Sequence, residues 1–163
     1  MKQTRFETLK KVSGKLRQMW IGRDDRAARE VLRPRLLVVD DEESICFSMS
    51  EYFSLHGYKV DTARELDEAE KLIEAIDYKV VIQDLRLSTT RNPDGLDIIK
   101  LIREHHPQTR IIVLTAYGST EMEDEARRRG ADAFLRKPKP LSQVAQVIQG
   151  LIESPSKRAA RPA

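Results

Sequence analysis

The chain has 163 residues, 40% apolar and 34% charged, which suits one folded domain of ordinary size with some residues to spare and excludes collagen-like and low-complexity classes. Its longest wholly aliphatic runs, residues 36–39 and 111–114, fall far short of the roughly 20 residues of a membrane span; the N-terminus lacks the apolar stretch of a secretory signal, and the single Cys46 cannot form an internal disulfide, so a cytoplasmic protein is expected. The net charge of +3 is unevenly spread, +7 over residues 1–35, −7 over residues 36–153 and +3 over residues 154–163, the pattern of an acidic domain with two basic ends rather than of a nucleic-acid binder.

Residues 1–34 read as a basic, amphipathic helical extension. Leu9, Val12, Leu16 and Met19 recur at helical spacing, with Phe6 and Trp20 beside them, while Gly14 and Gly22 weaken an uninterrupted coiled coil. Three readings stay open for this stripe: docking on the domain, pairing with a second copy as a homodimer, or lying on an anionic surface. From residue 35 onward, short β-branched runs alternate with helix-period segments, which is the signature of a parallel sheet with crossover helices. Strands are expected at residues 36–40, 58–61, 79–84, 110–115 and 133–137. Three of them are nearly continuous Val, Ile and Leu, as where both faces of a sheet are covered.

A helix is expected after each strand. Ile45, Met49, Tyr52 and Phe53 mark the first; Leu66, Ala69, Leu72, Ile73 and Ile76 the second; Leu96, Ile99 and Ile102 the third; Val144, Val147, Ile148 and Leu151 the fifth. The fourth, residues 119–129, offers little beyond Met122 and Ala126 and runs from acids to Arg127, Arg128 and Arg129, so a solvated, loosely held helix is expected. Gly57 and Gly130 stand where helices must stop, as left-handed caps. Residues 154–163 have no hydrophobic period and read as a disordered basic tail.

In an open α/β sheet, ligands bind outside the carboxyl ends of the strands. The expected strands end in Asp40 and Asp41, in Asp84, in Thr115 and in Lys137. The first and third strands must be neighbours for these acids to share a site, which the order 2-1-3-4-5 provides. Three carboxylates in one cleft repel, so they raise a pKa or bind a cation; an all-oxygen set without His or Cys favours Mg2+. Asp84 is then a nucleophile for phosphoryl transfer, with Thr115 and Lys137 donating to the phosphoryl oxygens. Plainer roles suit the rest. An Asp-Asp-Glu run alone is most often a helix start with Ser44 as cap, Cys46 a packing residue, and His56, His105 and His106 cations favoured at helix C-termini.

The segments LLVVDDEES, VVIQDLRL, IIVLTAYGS and GADAFLRKPKP resemble the receiver domain of bacterial two-component response regulators, over roughly residues 35–152. The resemblance implies a flavodoxin-like doubly wound (βα)5 fold, with residues 35–153 as the receiver. It makes Asp84 the phosphoacceptor, Asp41 a direct Mg2+ ligand, Asp40 the acid holding a metal-bound water, and the main-chain carbonyl of Arg86 a further ligand. Thr115 becomes the switch hydroxyl, Ala116 its small neighbour, Lys137 the phosphate-binding ammonium and Phe134 the aromatic that turns inward. A cis bond before Pro138 is also implied. One departure stands out: Ser88 replaces the family's usual Pro, and Asp94-Gly95 follows Asp84 by ten residues instead of about seven, which lengthens the loop.

The expected function is a phosphorelay switch and not a metabolic enzyme. A histidine kinase or phosphotransfer protein would be the donor, and an unidentified output protein would meet the fourth helix, fifth strand and fifth helix. Arg86 and Tyr117, each two residues beyond Asp84 and Thr115, stand where long side chains obstruct an attacking water, so a long-lived acyl phosphate is expected. Two rival readings stand beside it. One is a docking module that keeps the acid rim without using phosphate; the other is an Asp-nucleophile phosphatase, which wants a second Asp where Arg86 stands.

Overall fold

A computed structural model of the protein describes residues 32–87 and 95–154. The helix expected around Leu9 to Met19, the basic tail after Ser154, and Ser88 and Asp94 of the long loop lie outside the described residues. The chain divides after Arg33, and the unit beginning at Pro34 carries every described helix and strand. They alternate as β1 (Arg35–Val39), α1 (Glu43–Leu55), β2 (Lys59–Ala63), α2 (Leu66–Ala75), β3 (Val80–Gln83), α3 (Leu96–His105), β4 (Arg110–Thr115), α4 (Thr120–Arg129), β5 (Ala133–Arg136) and α5 (Leu141–Glu153).

The sheet is parallel in the order β2-β1-β3-β4-β5, as the shared site requires. Successive residues of β1 point to opposite faces, so Leu37 and Val39 join one apolar cluster with Ile73, Ile99 and Ile102, while Leu36 and Val38 join the other with Phe53, Val144 and Ile148. Both faces are therefore covered, and the aliphatic runs follow from that burial. Each fully buried Ile or Leu contributes about 1.5–3 kcal/mol. Among the described residues no helix is long and apolar enough to cross a membrane.

Helix ends follow the local chemistry. Gly57, at φ +88°, lets α1 close with Tyr58 N–H donating to Phe53 O and Gly57 N–H to Ser54 O; Gly130, at φ +116°, closes α4 the same way onto Ala126 and Arg127. Ser119 caps α4 by accepting from Met122 N–H. Two expectations are corrected. Ser44 is not a cap: Glu42 holds that position and Ser44 lies in the first turn of α1. The second strand is not 58–61 but Lys59–Ala63, because Tyr58 belongs to the turn closing α1, where its ring packs edge-on against Phe53. The fourth helix buries only Ala126, as expected, but Arg129 pairs with Asp97 at 3.0 Å and Arg103 donates to Gly130 O, so charge rather than apolar packing holds its C-terminal end.

Candidate functional site

The site residues stand one position beyond the ends of β1, β3 and β5. Sheet hydrogen bonding continues that far: Asp40 N–H donates to Ala63 O, Asp84 N–H to Val39 O and Lys137 N–H to Thr115 O. The neighbours β1 and β3, with β5 on the far side of β4, thus bring four side chains to one rim. Asp40, Asp41 and Asp84 each offer a carboxylate oxygen, all within 4.8 Å of one another. Lys137 Nζ donates to Asp40 Oδ2 at 2.5 Å and to Asp84 Oδ2 at 2.8 Å, with Glu42 at 3.9 Å. The peptide bond from Lys137 to Pro138 is cis, as the resemblance implied.

Backbone amides finish the carboxylates' pairing. Asp40 Oδ1 accepts from Glu42 N–H at 3.0 Å and Asp84 Oδ1 from Arg86 N–H at 3.1 Å. Burial pushes the Asp40 carboxyl above its ordinary value, against the pull of Lys137 and of the Glu42 amide. Burial alone would lower Lys137, but Asp40 and Asp84 together outweigh it and raise the amine. The ammonium is the direction that the geometry supports, since two carboxylates face one amine.

Thr115 is wholly buried and its Oγ1 accepts from Tyr117 N–H at 3.3 Å. Phe134 is buried, already turned inward, with its ring so close to Gly118 that a Cβ there would meet ring carbons at 2.7 and 2.8 Å. Arg86 and Tyr117, expected as separate shields, form one unit: the guanidinium lies over the ring, 4.1 Å from its centroid. Beside this rim a cavity of about 450 Å³ runs between α1 and the start of α5, lined by Ile45, Met49, Pro138 and Leu141. Cys46 packs under the rim, its thiol donating to Asp40 O.

Two residues were missed. Arg64, just past β2, reaches Glu43 and Asp41 O at 3.5 Å; with the second strand expected to end at residue 61, Arg64 carried no signal of its place beside the rim. Gln83, the last residue of β3, is fully buried and donates to Gly95 O. Its only signal is an amide at the end of an otherwise aliphatic strand.

The chain matches the family model described as the response regulator receiver domain over residues 36–149. It is 35% identical over 120 residues to the response regulator protein PilR of Pseudomonas aeruginosa, covering 71% of this chain and 25% of PilR. It is 31% identical to the photosynthetic apparatus regulatory protein RegA of Cereibacter sphaeroides, covering 73% of this chain and 63% of RegA. The chain therefore spans between a quarter and somewhat under two thirds of these relatives. A crystal structure of a response regulator from Burkholderia pseudomallei, with a phosphorylated aspartic acid, calcium ion and citrate, is similar at a TM-score of 0.68 and 31% identity, covering 73% of this chain and 68% of that one.

Proposed function

Because the chain belongs to the response regulator receiver domain family, we propose that it takes a phosphoryl group onto Asp84 from a histidine kinase or histidine phosphotransfer protein and changes its affinity for an output partner as a result. The observation that carries this reading is Lys137 Nζ bridging Asp40 and Asp84, with Asp41 in the same cluster of carboxylates.

The donor set is all oxygen, which fits a hard divalent cation, and so few protein carboxylates suit magnesium. Asp40, Asp41, Asp84 and the main-chain carbonyl of Arg86 would hold it. Bound there, the ion supplies positive charge against the phosphoryl oxygens. A carboxylate oxygen of Asp84 attacks phosphorus; the O–P bond forms as the P–N bond of the donor phosphohistidine breaks, its electron pair leaving with the imidazole, which takes up a proton. Lys137 turns a donor from Asp84 to the incoming phosphoryl group. Thr115, whose Oγ1 accepts from Tyr117, keeps its own proton to donate to a phosphoryl oxygen. Movement of Thr115 toward the phosphoryl group shifts the packing of Phe134 and biases the α4, β5 and α5 face toward the output partner. Arg86 and Tyr117 screen the acyl phosphate from water. In this reading residues 35–153 are the receiver, flanked by an extension of residues 1–34 and a tail of residues 154–163, and the protein turns over no substrate but its own phosphoryl group.

The test is intact-mass measurement after incubation with acetyl phosphate and Mg2+. One phosphoryl group should be gained, and none by Asp84→Asn. Equal labelling of the two proteins would overturn the assignment of Asp84; no labelling of the wild type would favour the phosphate-independent docking module.

A further inference from the structure

Gln83 is the one polar residue of β3, a strand whose other members are Val80, Val81 and Ile82. It is fully buried; Nε2 donates to Gly95 O at 2.5 Å, while Oε1 has no hydrogen-bond partner among the described residues. An apolar side chain of the same shape would fill this place without burying an unpaired carbonyl. A buried polar group retained at such a disadvantage, immediately before the proposed phosphoacceptor, asks for an explanation beyond packing.

The partner supplies it. Gly95 is held from two sides, its carbonyl by Gln83 and its N–H by Leu85 O at 3.2 Å. It lies so close to the strand-end turn that a Cβ would meet Asp84 O at 2.7 Å and Leu85 Cα and O at 3.0 Å. That turn carries the Asp84 side chain and leads to Arg86, whose N–H donates to Asp84 Oδ1. Gln83 therefore fixes Gly95, and Gly95 buttresses the backbone from which two proposed cation ligands project.

We infer that Gln83 is a positioning residue, setting the affinity of the acidic rim for a divalent cation by clamping Gly95 against the turn at Asp84–Arg86. The inference rests on the function proposed above, in that Asp84 and the Arg86 carbonyl are taken as ligands. Its first reading needs no phosphodonor. Mg2+ is titrated into full-length wild type and Gln83→Met and followed by amide NMR shifts, with thermal melting alongside. Gln83→Met keeps the length of the side chain and removes the amide. The dissociation constant should rise about tenfold, the low end for a residue acting on metal ligands through their support, while the melting temperature holds or increases. With acetyl phosphate, labelling of Gln83→Met should recover at high Mg2+, because the defect lies in cation affinity. An unchanged dissociation constant, or lower melting with an unchanged constant, overturns the inference. If Gln83→Met does not fold, the same readings are taken on Gln83→Asn, whose amide stops one methylene short of Gly95. A wild type that binds Mg2+ but is never labelled sinks the phosphorelay reading and leaves this inference standing; a wild type that binds no Mg2+ ends both.

Discussion

At the carboxyl ends of the strands, Asp40, Asp41 and Asp84 face the ammonium of Lys137; at the amino ends, the carboxylate of Asp132 lies between two guanidiniums. There Asp132 Oδ2 accepts from Arg103 at 2.8 Å and from Ile111 N–H at 2.8 Å, and Arg110 stands 3.5 Å from Oδ1. The remaining donors of Arg103 go to the carbonyls of Thr109, Pro107 and Gly130, and Arg110 also donates to Ser154 O. Both ends bury charge, yet the two guanidiniums and one carboxylate of the amino ends are taken up by partners within the fold, while the three carboxylates of the carboxyl ends outnumber their one ammonium. Saturation stabilises; an excess of one sign leaves a demand that a cation from outside can meet.

Substitutions at the two ends should separate these roles. Lys137→Met should slow labelling by acetyl phosphate about 100-fold, as loss of one preorganised donor does; normal labelling by intact mass would move Lys137 to the structural class. Asp132→Ala, which strands two buried guanidiniums, should cost about 3 kcal/mol in urea unfolding, while the folded protein is labelled within about twofold of the wild-type rate.

Acidification should sharpen the contrast. Burial raises the folded Asp40 carboxyl above its ordinary value, so protonation removes its negative charge from the rim at a higher pH than an ordinary carboxyl would allow. Mg2+ affinity should thus fall as the pH is lowered, beginning above the range of an ordinary carboxyl, in calorimetric titrations. The sign for stability is opposite. A folded value above the unfolded one makes Asp40's contribution fullest below the unfolded value and lost as pH rises through the folded one. The smallest effect should come from the Arg86–Tyr117 stack. A contact worth about 0.5–1 kcal/mol at an exposed site predicts acyl phosphate decay roughly threefold faster in Tyr117→Ala, and the same in Arg86→Ala; unchanged decay in both would remove the shielding role.

The contrast also divides what the sequence could reveal. Asp40, Asp84, Thr115 and Lys137 were legible because burial on both faces writes the strands as aliphatic runs whose polar ends mark the rim, Asp40 and Thr115 directly and Asp84 and Lys137 one place beyond Gln83 and Arg136. The edge strand β2 was misplaced because Lys59, Asp61 and Thr62 leave Val60 as its lone large aliphatic residue. The ion pairs of the amino ends were invisible. Arg103 and Asp132 lie 29 residues apart, and a charged residue on an amphipathic helix reads as solvated. The stacking of Arg86 on Tyr117 and the reach of Gln83 to Gly95 likewise depend on loops meeting in space, which no spacing encodes.

The hydrogen bond from Arg110 to Ser154 O has a practical bearing. It ties the end of α5 to the start of β4, on the side where β1 also begins at Arg35. The receiver thus starts and finishes at the pole remote from Asp84. Anchoring the protein to a sensor chip through either flank of residues 34–154 would present the acidic rim outward, open to a phosphodonor flowing across the surface.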